Sequence, residues 1–489
     1  MTESFKLVSS CLGSAFLQEM GCKTYLFHLL LFAKVFSSPV CNVADDCQCI
    51  PGSDLEVQCP PMLEYNSNKE HVIIHFKERK RAINIDCRSS KRFRMDLLPN
   101  IIAGDKTVLI IDSCPLPERN FKQIADHFLM KAVETLHLRN YTNVTLNRDY
   151  FEGLQLEELK VTDSNYLYIE EDTFDNIPNL RSLELAKNKN LVINARAFRN
   201  LTRLKILYLM QNQLDDVPEG LFQNLKNLKS LHLFNNRLKV ITDETFSGLS
   251  NLVMLELRTN RIENVSENAF RNLKNLSAVN LSDNRIRTIS PNIFKNNGNL
   301  TEIRMMHNRE LQLPDYLFAN LGSLKIVDLS QCDLSSIPEH IFENSTNLNE
   351  TNLERNKLVT ISPRLFQGLR NLENLNLKDN LISEIDDLVF QELGGLKIIN
   401  LEKNRIVKIH HRAFYGTRNL IDINLSQNQL LKNEKRVDIL AQLEHVQELD
   451  LSHNLITDIR DVVQTSFHSK LKVLNLSHNR LTVIKVSHS

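Results

Sequence analysis

Tryptophan is absent from the 489-residue chain, and glycine and proline occur only 13 times each. So little glycine argues against an enzyme built on glycine-rich loops. The sequence also contains no G-x-x-x-x-G-K-S/T loop, G-x-S-x-G elbow, H-E-x-x-H helix or C-x-x-C pair. No catalysis, cofactor or bound metal is expected, and the His410–His411 pair stands without evident partners. Net charge is missing too: 59 basic and 59 acidic side chains cancel, which excludes a global attraction to nucleic acid or to an acidic membrane.

No apolar run reaches the length of a membrane-spanning helix. Residues 25–36, YLFHLLLFAKVF, are too short and are broken by His28 and Lys34. Lys23 before the run and Ser37–Ser38 after it predict a secretory signal peptide over 1–38, with 1–19 as an upstream extension before Met20; the alternative is a buried helix of a cytosolic domain. Six of the nine cysteines crowd behind it, Cys41, Cys47, Cys49, Cys59, Cys87 and Cys114. Such an even cluster reads as a disulfide framework in an exported chain. Eleven Asn-x-Ser/Thr sequons follow, at Asn140, Asn143, Asn200, Asn264, Asn275, Asn280, Asn299, Asn344, Asn349, Asn424 and Asn475, and predict a glycosylated extracellular surface.

What the chain has in abundance is repetition. Leucine begins a block at 156, 180, 204, 228, 252, 276, 300, 324, 348, 372, 396 and 420, with a degenerate block at Val133 and two more at Val446 and Leu471. The period of 24 and the pattern L-x-x-L-x-L-x-x-N-x-L are those of leucine-rich repeats. The predicted fold is an α/β solenoid, a leucine-rich repeat horseshoe of about 15 units over 117–489. Its L-x-L segments are short strands, leucines inward, forming a parallel concave sheet. Asparagines at 188, 212, 236, 260, 284, 308, 356, 380, 404 and 428 are expected to bond backbone groups of their own turn and the next. Cys332 falls on the same position and reads as a buried, inert thiol. Phenylalanines at 174, 198, 222, 246, 270, 294, 318, 342, 366, 390 and 414 form an aromatic spine on the convex side. No block buries its apolar face alone, so each supplies the core its neighbour lacks.

Residues 39–116 are expected to cap the amino-terminal end, with KTVLIIDSC (106–114) as a first partial strand. No cysteine cluster, membrane span or cytoplasmic domain follows the last block, LKVLNLSHNRLTVIKV, which leaves Leu474, Leu476 and Leu481 at an uncapped end. The expectation is the front portion of a longer receptor, or a truncated product of its gene.

These residues resemble a known family. VCNVADDCQCIPGSDLEVQCP (40–60) with Cys87 and Cys114 is similar to the amino-terminal cap of insect Toll receptors. LTEIRMMHNRELQLPDYLFANLGSLKIVDL (300–329) is similar to a mid-ectodomain segment, as is the break in period at LLKNEKRVDILAQLEHV. The resemblance implies a receptor ectodomain that binds a Spätzle-like cystine-knot cytokine in innate immune or developmental signalling, with receptor dimerisation. It also implies the pairings Cys41–Cys49, Cys47–Cys59 and Cys87–Cys114. The alternative is a secreted or cell-surface adhesion protein that contacts another surface protein through the same repeats. Neither reading calls for a nucleic acid or a small-molecule substrate.

Most outward strand positions are small, polar or charged, as in Glu350, Asn352, Glu354 and Asn374, Asn376, Lys378. Three consecutive strands differ and present Ile206, Tyr208 and Met210, then His232 and Phe234, then Met254, Glu256 and Arg258. Strands about 4.8 Å apart merge these into one patch of the kind that makes interface hot spots. Cross-strand packing with no partner is the alternative. Glycans on Asn280, Asn424 and Asn475 would obstruct the concave wall beyond the patch. The basic runs KERKR (77–81) and Arg88, Lys91, Arg92, Arg94 read as a solvated face, the alternative being an acidic ligand surface or a glycosaminoglycan.

Overall fold

The computed structural model describes residues 48–50, 55–59, 72–77, 81–88, 106–430, 443, 445–458 and 470–482. The leader, Cys41 and Cys47, the side chains of Cys49 and Cys59, Lys91, Arg92 and Arg94, most of the KERKR run and most of 430–446 lie outside the described residues. The chain forms two compact units, one up to Glu118 and again over Gln123–Val133, the other over Arg119–Lys122 and from Glu134 onward.

In the first unit the strands Gln48–Ile50, Leu55–Cys59, Val72–Lys77 and Ala82–Asp86 pair antiparallel in succession, and Ala82–Asp86 then pairs parallel with Val108–Asp112. Ile74, Ile83, Ile85, Leu109 and Ile111 are buried. Cys87 and Cys114, at the ends of the two parallel strands, are joined in a disulfide with Cα atoms 4.8 Å apart. Closing a separation of 27 residues contributes on the order of 3 kcal/mol by restricting the unfolded chain.

The second unit is a parallel β-solenoid. Its strands run from Thr135–Arg139 to Val473–Asn475, and each of the regular ones pairs with the next at an offset of 24 residues, as in Leu207↔Leu231 and Leu231↔Leu255. The inward leucines of the regular strands are buried, while Leu474 of the last strand is half-buried. At ~1.5–3 kcal/mol for each large apolar side chain withdrawn from water, this core is the main stabilising term.

The ladder asparagines explain how each turn closes. Asn284 Nδ2 donates to the carbonyl of Leu281 in its own turn (3.0 Å) and to that of Leu257 in the preceding turn (3.1 Å). Its Oδ1 accepts from Ile262 N–H, also one turn back, at 3.0 Å. The amide thus holds its own turn and the preceding one, where the sequence led us to expect the following one. Asn454 and Asn479 extend the same ladder. The residue just before each ladder position is left-handed at φ between 53° and 61°, from Lys187 to His478, and none of these is glycine. This kink turns the strand off the concave wall. It is costly for most side chains, Thr259 most of all because it is β-branched, and the buried asparagine bonds offset it.

The spine is present as runs of rings in contact, Phe151 to Phe198, Phe246 to Phe342 and Phe366 to Phe414, with centroids 5.5–6.3 Å apart, and it begins earlier than the regular period indicates, at Phe121 and Phe151. Successive three-residue turns carry the chain from spine to strand: Leu273 N–H donates to Phe270 O and Leu276 N–H to Leu273 O, both at 3.0 Å. Helices are few. Among the described residues the only α-helix is Lys122–His127, joined by short 3-10 segments at Arg148–Phe151 and Pro363–Phe366. A 24-residue turn spends its length on strand, lateral crossing and Phe-bearing corner, and too little is left for a helix of ordinary stable length.

Cys332 is buried and unpaired. Its Sγ lies 3.2 Å from Met305 O, in the place of an asparagine Nδ2. Burial pushes its pKa up to about 12. The thiolate is the reactive form, so we expect no labelling by a disulfide reagent at pH 8 in the folded protein and full labelling in denaturant; rapid labelling of the native chain would contradict this environment.

Candidate functional site

Register alone aligns the three exceptional strands. Ile206, Ser230 and Met254 share one row, and Tyr208, His232 and Glu256 the next. Across that second row the Tyr208 and His232 rings stack at 4.7 Å and 17°. His232 meets Phe234 edge-on at 6.4 Å, and the Arg258 guanidinium lies 4.5 Å above the Phe234 ring. Tyr208, His232, Phe234 and Arg258 are therefore one continuous stack running diagonally over three turns. Ile206 and Met210 flank it on the first strand and Met254 on the third, without a ring contact. Met254 is 40% exposed, Arg258 is exposed, and the remaining members are half-buried.

Two polar residues support the stack, Glu256, which the sequence placed at its edge, and Ser230, which the sequence reading missed. Ser230 Oγ lies 2.8 Å from His232 Nε2 and fixes the imidazole against Tyr208. Burial lowers the His232 pKa, which keeps the ring neutral. Glu256 Oε2 is buried without a hydrogen-bond partner, 3.7 Å from Arg258 Nε. Desolvation raises its pKa, against the pull of the Arg258 charge. A carboxyl raised in the folded state binds protons more tightly there than in the unfolded chain, so it disfavours folding above its folded pKa and ceases to do so below the unfolded value of 4.5. Glu256→Gln is accordingly expected to stabilise the protein near pH 7, with the gain over wild type vanishing as pH falls below 4.5; chemical denaturation at both pH values measures it.

The wall on either side is chemically closed. Lys160 bridges Glu158 at 3.1 Å and Glu184 at 3.5 Å on the amino-terminal side, and Arg304 pairs with Glu302 on the other. Beyond these, the last strand position is Asp328, Asn352, Asn376, Asn400, Asn424, Asp450 and Asn475. Each accepts through Oδ1 the backbone N–H two residues on, at 2.8–3.1 Å. This second ladder spends its polar groups internally. A concave cavity of about 330 Å³ there is lined by Asp422, Asn424, Glu448, Asp450 and Asn475. Burial raises the Asp422 pKa, helped by Glu448 and Asp450.

Among the sequon asparagines, Asn140, Asn143, Asn200, Asn264, Asn275, Asn299 and Asn344 are exposed, while Asn280, Asn349, Asn424 and Asn475 are half-buried. Asn280, Asn424 and Asn475 do sit on concave strands. The His410–His411 pair is not without partners: His410 Nε2 lies 3.2 Å from Glu384 and His411 Nδ1 3.5 Å from Asp387, because the turn before supplies three acidic residues at the facing positions.

With the repeat, ladder and spine in place, the chain is a leucine-rich repeat protein. Residues 216–349 and 311–435 match the BspA type leucine-rich repeat region, and residues 155–214 and 444–488 match the leucine-rich repeat. No curated protein matches the sequence significantly. Among solved structures it is similar to Toll in the Toll–Spätzle complex, described as a molecular hub in Drosophila development and innate immunity, at 25% identity and a TM-score of 0.69, over 88% of this chain and 62% of that one. It is similar to TLR13 in its complex with ssRNA13 at 25% identity and a TM-score of 0.69, over 80% and 56% of the two chains. An LRR protein of Leptospira interrogans, LIC12759, matches at 26% identity and 0.55, over 67% and 79%. The chain thus spans about three fifths of the length of the Toll and TLR13 chains it resembles. No helix among the described residues is long and apolar enough to cross a membrane.

Proposed function

We propose that this protein is an extracellular leucine-rich repeat ectodomain of Toll type that binds a Spätzle-like cystine-knot cytokine through the Tyr208–His232–Phe234–Arg258 stack, in innate immune or developmental signalling. The observation that carries the reading is that stack: a half-exposed aromatic and cationic column flanked on the wall by ion pairs and internally bonded amides. Aromatic residues and arginine at the centre of a desolvated patch dominate protein–protein binding energy. The similarity to Toll, solved with Spätzle, supports the ligand class. A polyanion suits the wall poorly, because its cations are matched by carboxylates at Glu158, Glu184 and Glu302, and binding to nucleic acid depends on unpaired positive charge. Residues 39–116 serve as the amino-terminal cap, and the sequons of the far concave half carry glycans that leave the patch open. The adhesion reading assigns the same repeats to contact with another cell. Co-precipitation of the secreted chain with a processed Spätzle-type cytokine separates the two: capture supports the receptor reading, and aggregation of expressing cells without capture overturns it.

A further inference from the structure

We propose that Glu384, Asp386 and His410 form a binding site for a zinc ion that clasps two consecutive turns of the solenoid. The residues come from the lateral flank, away from the concave patch, where Glu384–Ile385 and Lys408–Ile409 pair in parallel with Ile385 opposite Ile409. That register sets Asp386 opposite His410, whose N–H donates to Ile385 O at 2.9 Å. One donor atom from each of the three side chains falls within 4.8 Å of the other two.

The spacing leaves one of the two carboxylates for a metal to satisfy, since the hydrogen bond of His410 goes to Glu384 alone. His410 Nε2 is 3.2 Å from Glu384 Oε2 and 3.7 Å from Asp386 Oδ1. A single ring nitrogen cannot serve both carboxylates with one proton. Elsewhere in the molecule, His–Asp hydrogen bonds close to 2.6 Å at His307–Asp283 and 3.0 Å at His340–Asp315. Tetrahedral zinc with bonds of about 2.0–2.1 Å places its ligand atoms about 3.3–3.4 Å apart, and the two distances at His410 bracket that edge. The carboxylates are 45% and 55% exposed and the imidazole 27%. A small rotation closes the third edge, and solvent water completes the fourth position. An imidazole among the ligands selects a borderline transition ion over calcium or magnesium, which take oxygen alone. Lys408 Nζ, 3.8 Å from Glu384 Oε2, is the cation that zinc displaces from Glu384.

Titrating the full chain with zinc chloride by calorimetry tests the site, with thermal unfolding read in parallel. The expected result is saturable binding with a raised Tm, weakened at least about tenfold by His410→Ala and by Asp386→Asn. All three side chains are at the surface, so the variants should fold. Cobalt(II) in the same site should give visible tetrahedral bands without thiolate charge transfer, which separates it from any cysteine site. No saturable zinc binding, or either variant binding as wild type, overturns the assignment.

Discussion

Asn284→Ala should lower the unfolding free energy by about 4 kcal/mol, one of the largest losses available from a single polar residue in this protein. The substitution strands Ile262 N–H and removes one of two donors from each of Leu257 O, Leu281 O and Ser282 O, which keep Asn260, Asn308 and Thr259 N–H respectively. A buried donor left unsatisfied costs about 1–3 kcal/mol and each further hydrogen bond lost about 0.5–1.5 kcal/mol. Because turns hold one another through nearest-neighbour contacts, the damage should also broaden the unfolding transition. Asn284→Cys should cost less, since Cys332 already occupies a ladder position with its sulfur directed at Met305 O. Urea denaturation followed by circular dichroism measures both. A loss below about 1 kcal/mol for alanine would mean that the ladder asparagines decorate the turns and do not close them.

The second large effect concerns binding. Tyr208→Glu combined with Phe234→Glu should weaken capture of a processed Spätzle-type cytokine by at least about 100-fold, since two central aromatic anchors commonly contribute ≥2 kcal/mol each. Both side chains are only half-buried, Tyr208 within its strand and Phe234 two residues past the strand Ser230–His232, so secretion and circular dichroism should be unchanged. The control is Ile398→Glu, which places the same charge on an exposed concave position six or more turns further along. Cytokine binding that survives the double substitution, or that is lost equally in the control, removes the patch from the interface.

The repeat made much of this molecule legible in advance. Leucines, asparagines and phenylalanines at a fixed period can satisfy their packing and hydrogen bonds only by stacking, so the places of Leu255, Asn284 and Phe270 follow from the period alone. The patch was legible for the same reason, since alternation along a strand determines which side chains share a face. What escaped was geometry carried by residues of no fixed type. The left-handed position is filled in turn by Lys187, Thr259, His307 and Arg355, and backbone shape there is imposed by the neighbouring asparagine, not by the side chain. The contact of His410 with Glu384 spans 26 residues, and only the lateral register brings the two together. Ser230 reads as an ordinary polar strand residue, and only its contact with His232 gives it a role.

The ladder is one-sided: a given asparagine reaches back to the winding before it, so every winding is fastened by its successor. Mechanical or proteolytic loss of a distal winding therefore unlatches the one it had secured, and fraying should advance from the carboxyl side toward the amino side more readily than in the opposite sense.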